Sequence, residues 1–341
     1  MTLQKIYKHK RQPMNNSLLL NNALNVLEPY LNLEANELIF NKPKEMFVDK
    51  GGEWETITDE RLDYNFLESF LIELAIKRNQ LFDEKHCHLS CELPAPFLRY
   101  RVQAQHKSSL FNSEISLCIR IPSKEQFPLE SFTLGQLCIE KGITYEKIRT
   151  IVRKKRNTLV SGGTGSGKTS FLNSLMGEIP LSERIVTIED SQELHIKNPN
   201  KTQLAVPKTE NEIYSYAEAI NNAMRLRPDR LFLGEIDIRN TFTFLRICNT
   251  GHAGNLSTIH ANSPEDAIEA IISNIILGGG LSNADTNMLL RQIKTAIKYI
   301  IQIKRIGKQR VILDVVNIKK ELSEKLGIPY IKEEDEEENE I

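Results

Sequence analysis

The sequence has no long apolar run. No stretch approaches the roughly 18 consecutive apolar residues that a membrane-spanning helix needs, and the amino terminus lacks the apolar segment of a secretory signal. These two absences make the cytoplasm the expected location. Cysteine is scarce: five residues, an odd number and scattered, suit a reducing compartment better than a disulfide framework. No pair of closely spaced Cys-x-x-Cys motifs occurs. The one local cluster, His86, Cys87, His88 and Cys91, could ligate zinc, but it stands alone in an extended-looking segment, so ordinary packing is expected. An excess of one charge is missing too. With 44 basic and 45 acidic residues, no overall field draws the chain to nucleic acid or to an anionic membrane.

What is present is enough apolar material, 40% of 341 residues, to build two domains. Residues 1–31 read as a basic tail, with Lys5, Lys8, Lys10 and Arg11, followed by a short leucine-rich amphipathic helix from Ser17. From 32 to 120, short runs broken by Pro43 and Gly51-Gly52 read as strands, joined by a helix that carries Leu62, Phe66, Phe70 and Leu71. This is an α+β domain. The stretch 121–131, with two prolines, reads as a linker. From 132 to 322, strands and helices alternate, which implies a largely parallel sheet with helices on both faces, closed by a hairpin around Gly307. Residues 323–341, with an acidic run from Glu333 to Glu338, read as a solvated tail.

The chemistry begins at TLVSGGTGSGKTS, where Gly162, Gly163, Thr164, Gly165, Ser166, Gly167, Lys168, Thr169 and Ser170 follow an apolar strand and open a helix. The glycines allow backbone angles that turn successive amides into a concave anion site, and the helix presents its positive end to the same phosphates. A nucleoside triphosphate is therefore the expected ligand, with Lys168 on the β and γ phosphates and the Thr169 hydroxyl on Mg²⁺. Such loops work with an acid at a neighbouring strand end. Gly234 stands where an Asp is usual in RLFLGEI, so Glu235 must supply that carboxylate. Further acids, Glu189, Asp190 and Glu193, cluster after the strand RIVTI. Glu189, Asp190, Glu235 and Thr169 are the candidate metal ligands, and Glu193 or Glu235 activates the attacking water, with Glu193 preferred. His260 ends the strand NLSTIH at the same sheet edge, where it could sense the γ phosphate or position water.

The loop GGTGSGKT, the acidic box IEDSQEL, the strand RLRPDRLFLGE and the histidine box NTGHAGNLSTIHANS together resemble the secretion-ATPase superfamily of type II and type IV secretion and type IV pili. The amino-terminal stretches ELIFNKPKEMFVDKGGEW, LPAPFLRYRVQAQ and ISLCIRIPS resemble its type IV secretion and conjugation branch. The resemblance implies a RecA-like P-loop ATPase domain after the α+β domain. It also implies a homo-hexamer that hydrolyses ATP with Mg²⁺, other machine components as partners, and peripheral contact with the inner membrane. It assigns Arg101 and Arg120 to the nucleotide, where cations would offset charge developing on the transferred phosphoryl. Ion pairing on a strand surface is the plainer role for each.

A nucleic-acid motor is the reading from another class, with Lys5 to Arg11, or Arg225, Arg227 and Arg230, as contacts. One departure from the family pattern stands out. Gly234-Glu235 is followed by Ile236-Asp237-Ile238-Arg239, which puts an acid where an arginine is usual. Asp237 is expected to turn away from the nucleotide and Arg239 to take the arginine's part.

Overall fold

A computed structural model of the chain describes residues 16–122, 126–206, 215–249, 251–279 and 286–322. The basic stretch Lys5 to Arg11 and the acidic run Glu333 to Glu338 lie outside those residues. The chain divides into two compact units, Met1–Ser123 and Lys124–Ile341.

The first unit is an antiparallel sheet covered by two helices, α1 (Leu18–Leu31) and α2 (Tyr64–Lys77). Its strands are β1 (Glu37–Lys42), β2 (Glu45–Asp49), β3 (Trp54–Thr58), β4 (His88–Glu92), β5 (Arg101–His106) and β6 (Ile115–Arg120), in spatial order β3-β2-β1-β6-β5-β4. Ser17 caps α1 by accepting from the Leu20 amide. The leucine spacing then buries Leu20, Leu24, Leu27 and Leu31 against Phe70, Leu71 and Leu74 of α2 and the sheet's inner face. So α1 is part of this unit's core. Asp63 accepts from the Phe66 amide and starts α2, which leaves Leu62 buried just ahead of the helix.

The second unit is a sheet of eight strands, β7 (Thr133–Leu134), β8 (Thr158–Gly162), β9 (Ile185–Glu189), β10 (Lys201–Ala205), β11 (Arg230–Leu233), β12 (Leu256–His260), β13 (Tyr299–Ile306) and β14 (Gln309–Asn317), in order β10-β9-β11-β12-β8-β13-β14-β7. Neighbours from β10 to β13 run parallel, β13 and β14 form the antiparallel hairpin, and Gly307 takes a positive φ at its turn. The helices are α3 (Gln136–Glu140), α4 (Tyr145–Arg153), α5 (Lys168–Met176), α6 (Tyr216–Arg225), α7 (Thr241–Asn249), α8 (Pro264–Leu277) and α9 (Thr286–Ala296).

Alternate residues of the central strands serve two cores. Leu159, Val186, Ile188, Leu231 and Leu233 face α6 to α9, while Val160, Ile185 and Phe232 face α4 and α5. Leu129 and Phe132 are buried in that second core and Phe127 packs on it, so the carboxyl-terminal half of the segment read as a linker belongs to this unit's packing. With its parallel core and helices on both faces, the unit is a RecA-like α/β domain. The carboxyl ends of β8, β9, β11 and β12 all open on one edge, where ligands of such sheets bind.

Candidate functional site

The loop follows β8 directly. Gly165 and Gly167 take φ values of +71° and +93°, in the left-handed region where a Cβ is penalised. At Gly162 close approach excludes a side chain: a Cβ there would lie 2.5 Å from Ser166 Oγ and 2.8 Å from the Ile303 carbonyl oxygen. Helix α5 starts at Lys168, whose side chain curls back into the loop. Its ammonium donates to the carbonyls of Gly162 and Gly163, each at 3.0 Å, and to Nδ1 of His260 at 3.1 Å. The His260 Nε2 lies 2.9 Å from Glu235 Oε1. The start of α5, the end of β12 and the bend after β11 thus deliver one hydrogen-bonded chain, Lys168 to His260 to Glu235.

Partial burial and the charge of Lys168 both hold the His260 pKa below its ordinary value. The ring is therefore neutral at pH 7, and the network assigns its proton: Nδ1 accepts from Lys168 and Nε2 donates to Glu235. Glu235 is pushed the other way. Desolvation raises its pKa against the lowering influence of Lys168, and Asp237, Asp190 and Glu193 add to the rise. The backbone bend carrying Glu235 is pinned to β12, because Ile236 N donates to the Thr258 carbonyl at 2.9 Å and the Thr258 hydroxyl donates to the Gly234 carbonyl at 3.0 Å.

The acidic box separates into different roles. Glu189 is only 4% exposed. Its Oε1 accepts from the amides of Glu193 at 2.7 Å and Leu194 at 2.8 Å, and Oε2 accepts from the Thr187 hydroxyl at 3.2 Å. Burial raises its pKa despite those three bonds. Both its oxygens are thus engaged within the box, whereas the strand-end position alone marked it as a metal ligand. Gly234 now has a physical reason: a Cβ there would touch Glu189 Cγ at 3.4 Å, so an Asp would set a second carboxylate against a buried one.

Asp190 lies 3.3 Å from the Arg239 guanidinium. Asp237 holds the same arginine through Nε at 2.8 Å and through the Arg239 amide, also at 2.8 Å. The guanidinium rests over the Tyr216 ring, 4.9 Å from its centroid. Asp237 is therefore bonded to Arg239, while its charge still adds to the raised pKa of Glu235. Arg239 itself is tied to Asp237 and Asp190.

One residue that the sequence reading passed over joins loop to box. Asn173, on α5 and buried, donates through Nδ2 to the Glu193 carbonyl at 3.0 Å and accepts through Oδ1 from the His195 amide at 2.7 Å. The signal for it was a lone amide, beside Ser174, in the mostly apolar helical run FLNSLM. Together Glu189 and Asn173 fix the backbone on both sides of Glu193.

Other candidates have neighbours within their own unit. Arg101 and Arg120 are directly opposite on β5 and β6, flanked across the sheet by Glu92 on β4 and Glu37 on β1. An acid, two cations and an acid stand in one cross-strand row, an order that places opposite charges opposite each other at both flanks. Arg230 is corrected as a nucleic-acid contact. It is 1% exposed, held by Glu183 at 2.7 and 3.0 Å, and donates to the Val152 carbonyl at 2.7 Å. In the His86 to Cys91 cluster the side chains part company: His86 pairs with Asp83 at 3.0 Å and Cys91 is buried in the first unit's core.

With this geometry in place, comparisons with known proteins speak to the family. The family described as Type II/IV secretion system protein matches residues 99–310. The chain is 31% identical over 312 residues to the type IV secretion system protein VirB11 of Bartonella henselae, which covers 81% of this chain and 86% of that protein. It is 29% identical over 274 residues to VirB11 of Brucella abortus, 73% of this chain and 75% of the relative. Among solved structures, the pilus retraction motor PilT with bound ADP aligns with a TM-score of 0.61 at 20% identity, over 86% of this chain and 82% of that one, a likeness of fold alone. Matched over more than half its length by the family and over four-fifths by a relative above 30% identity, the chain belongs to the type II/IV secretion system protein family.

Proposed function

We propose that this chain is an ATP-hydrolysing motor subunit that energises a type IV secretion or conjugation machine. The observation that carries the reading is the hydrogen-bonded chain from Lys168 through His260 to Glu235, set at the carboxyl edge of the sheet beside a phosphate-binding loop. Relatives named as type IV secretion proteins supply the machine.

In this reading the loop amides from Gly163 to Thr169 and the positive end of α5 bind the phosphates. Lys168 exchanges the carbonyls of Gly162 and Gly163 for phosphate oxygens, which are stronger partners because the bond is charged at both ends. His260, relieved of Lys168, keeps its Nε2 proton on Glu235 and so orients that carboxylate. Glu193, fixed by Glu189 and Asn173, accepts the proton of the attacking water, with Glu235 as the other candidate base. The oxygen donors suit Mg²⁺, a hard cation: the Thr169 hydroxyl in the first turn of α5 and the Glu235 carboxylate would hold it, with Asp190 further out. Bound there, Mg²⁺ would neutralise charge on the β and γ phosphates.

The same reading makes the working form a homo-hexamer on the cytoplasmic side of the inner membrane, among other secretion components. Sizing with and without ATP and Mg²⁺ tests the ring. Loss of liposome binding on deletion of residues 1 to 12 tests the membrane contact. Turnover by Arg101→Gln and Arg120→Gln tests the part assigned to those arginines. The central experiment is ATP hydrolysis by Lys168→Ala, which should be nearly abolished; turnover at the level of the unsubstituted protein would end the ATP-site reading. Stimulation of that turnover by single-stranded DNA would favour a nucleic-acid motor instead.

A further inference from the structure

The hairpin of β13 and β14 runs past the phosphate loop. Strand β13 pairs with β8 in parallel from Tyr299 opposite Thr158 to Gln302 opposite Ser161, so Ile303 comes beside Gly162 and the residues after it extend beyond the sheet's carboxyl edge. That extension is cationic, with Lys304, Arg305, Lys308 and Arg310 among seven residues. Arg310 then folds back onto the loop. A Cβ built on Gly167 would lie 3.0 Å from Arg310 Cδ and 3.1 Å from its Nε, so the stem passes directly over the glycine that precedes Lys168.

What holds Arg310 there is a ring rather than an acid. Its guanidinium lies over Phe127, 4.6 Å from the centroid, and among the described residues Arg310 makes no ion pair. The charge that acts on it is another cation: burial and Arg305 both push its pKa down from the ordinary value. A partly buried cation beside a like charge is costly until an anion reaches it. The anion for which the adjoining loop is built is a polyphosphate. Guanidinium also suits the task, because its planar donors can take a phosphate while one face stays stacked on an aromatic ring.

We infer that Arg310 is a phosphate-binding residue of the nucleotide site, reaching over Gly167 from the β13–β14 hairpin to the phosphate chain held by the loop. The inference rests on the reading of that loop as an ATP site. Gly167 then serves twice: its positive φ shapes the amide cradle, and its missing side chain lets the arginine through.

The test measures ATP and ADP affinity by displacement of a fluorescent nucleotide from the full chain and from Lys168→Ala, Arg310→Gln, Arg310→Met and Arg310→Lys. Arg310→Gln and Arg310→Met should each weaken ATP about tenfold, ~1.4 kcal/mol, and Arg310→Lys should lose clearly less. Arg310→Met keeps an aliphatic stem over Gly167 and on Phe127, so it serves if Arg310→Gln fails to fold. Nucleotide binding that is absent from the full chain, or unchanged in Lys168→Ala, would sink the ATP-site reading itself. Binding lost in Lys168→Ala but undiminished in Arg310→Gln and Arg310→Met would overturn this inference alone. So would equal losses in Arg310→Lys and Arg310→Met, since charge would then not be what binds, or lost ring assembly at full nucleotide affinity, since the partner would be a second subunit.

Discussion

Glu189 separates a structural carboxylate from a metal-binding one, and two substitutions distinguish them. Both amide bonds, from Glu193 and Leu194, fall on the same oxygen, Oε1. In Glu189→Gln the amide oxygen can keep that position while the NH₂ group donates to the Thr187 hydroxyl, which can reverse its role. All three charge-assisted bonds become neutral ones, a loss of roughly 1 kcal/mol each, and the desolvation cost of a buried charge is relieved by a similar amount in total. The net change should stay within about 1 kcal/mol, or roughly 2–4 °C in Tm for a domain of this size. Glu189→Ala instead leaves two amides without their acceptor, at about 1–3 kcal/mol each, so about 2–6 kcal/mol in all.

The pH dependence has a definite sign. The folded-state pKa of Glu189 is raised, so the folded protein binds its proton more readily than the unfolded chain, and ionisation costs stability as pH rises through the folded value. Any advantage of Glu189→Gln in thermal unfolding should therefore be greatest near pH 7 and shrink toward pH 5. Turnover should follow structure: nearly unchanged in Glu189→Gln, and lost in Glu189→Ala as the backbone around Glu193 loosens. The reasoning is refuted if Glu189→Gln folds normally yet needs about tenfold more Mg²⁺ for half-maximal turnover, which would make Glu189 a metal-shell ligand.

Gly162→Ala should abolish nucleotide binding and cost about 1–3 kcal/mol by overpacking, because the Ile303 carbonyl cannot withdraw from the sheet; an unchanged Tm shift with ATP would contradict this. Glu193→Gln should bind ATP normally and cleave it slowly, as an amide cannot take the water's proton, whereas slow cleavage by Glu235→Gln alone would move the base to Glu235. The lowered pKa of His260 means that its neutral contacts are fully present above its ordinary value of 6.5 and are lost as pH falls through the depressed folded value. Below that value a charged ring would face the Lys168 ammonium at 3.1 Å in the nucleotide-free protein, so kcat/KM, which reports the free enzyme, should fall on an acid limb below pH 6.5 that His260→Gln abolishes. A limb that survives His260→Gln would place the titration elsewhere.

The sequence by itself determined whatever is contiguous. The phosphate loop, its flanking strand and helix, and the acids and histidine at later strand ends are each set by a few neighbouring residues and by the rule that parallel strands share a carboxyl edge. The two-unit division and the alternation of strands and helices were legible for the same reason, since a half-buried surface must repeat at 2.0 or 3.6 residues. The tertiary structure decided what each polar side chain meets. Glu189 ends β9 and Glu235 follows β11 by two residues, yet one turns inward onto the amides of its own box and the other outward onto His260. Asp237 was an anomaly in the sequence and became the partner of Arg239. Arg230 looked like a surface cation until Glu183 and Val152 enclosed it. Arg310 carried no signal at all, because its place over Gly167 depends on a hairpin more than a hundred residues away in the chain. Burial and pairing are properties of what lies across the sheet, and a linear pattern records only which face a residue is on, not what waits there.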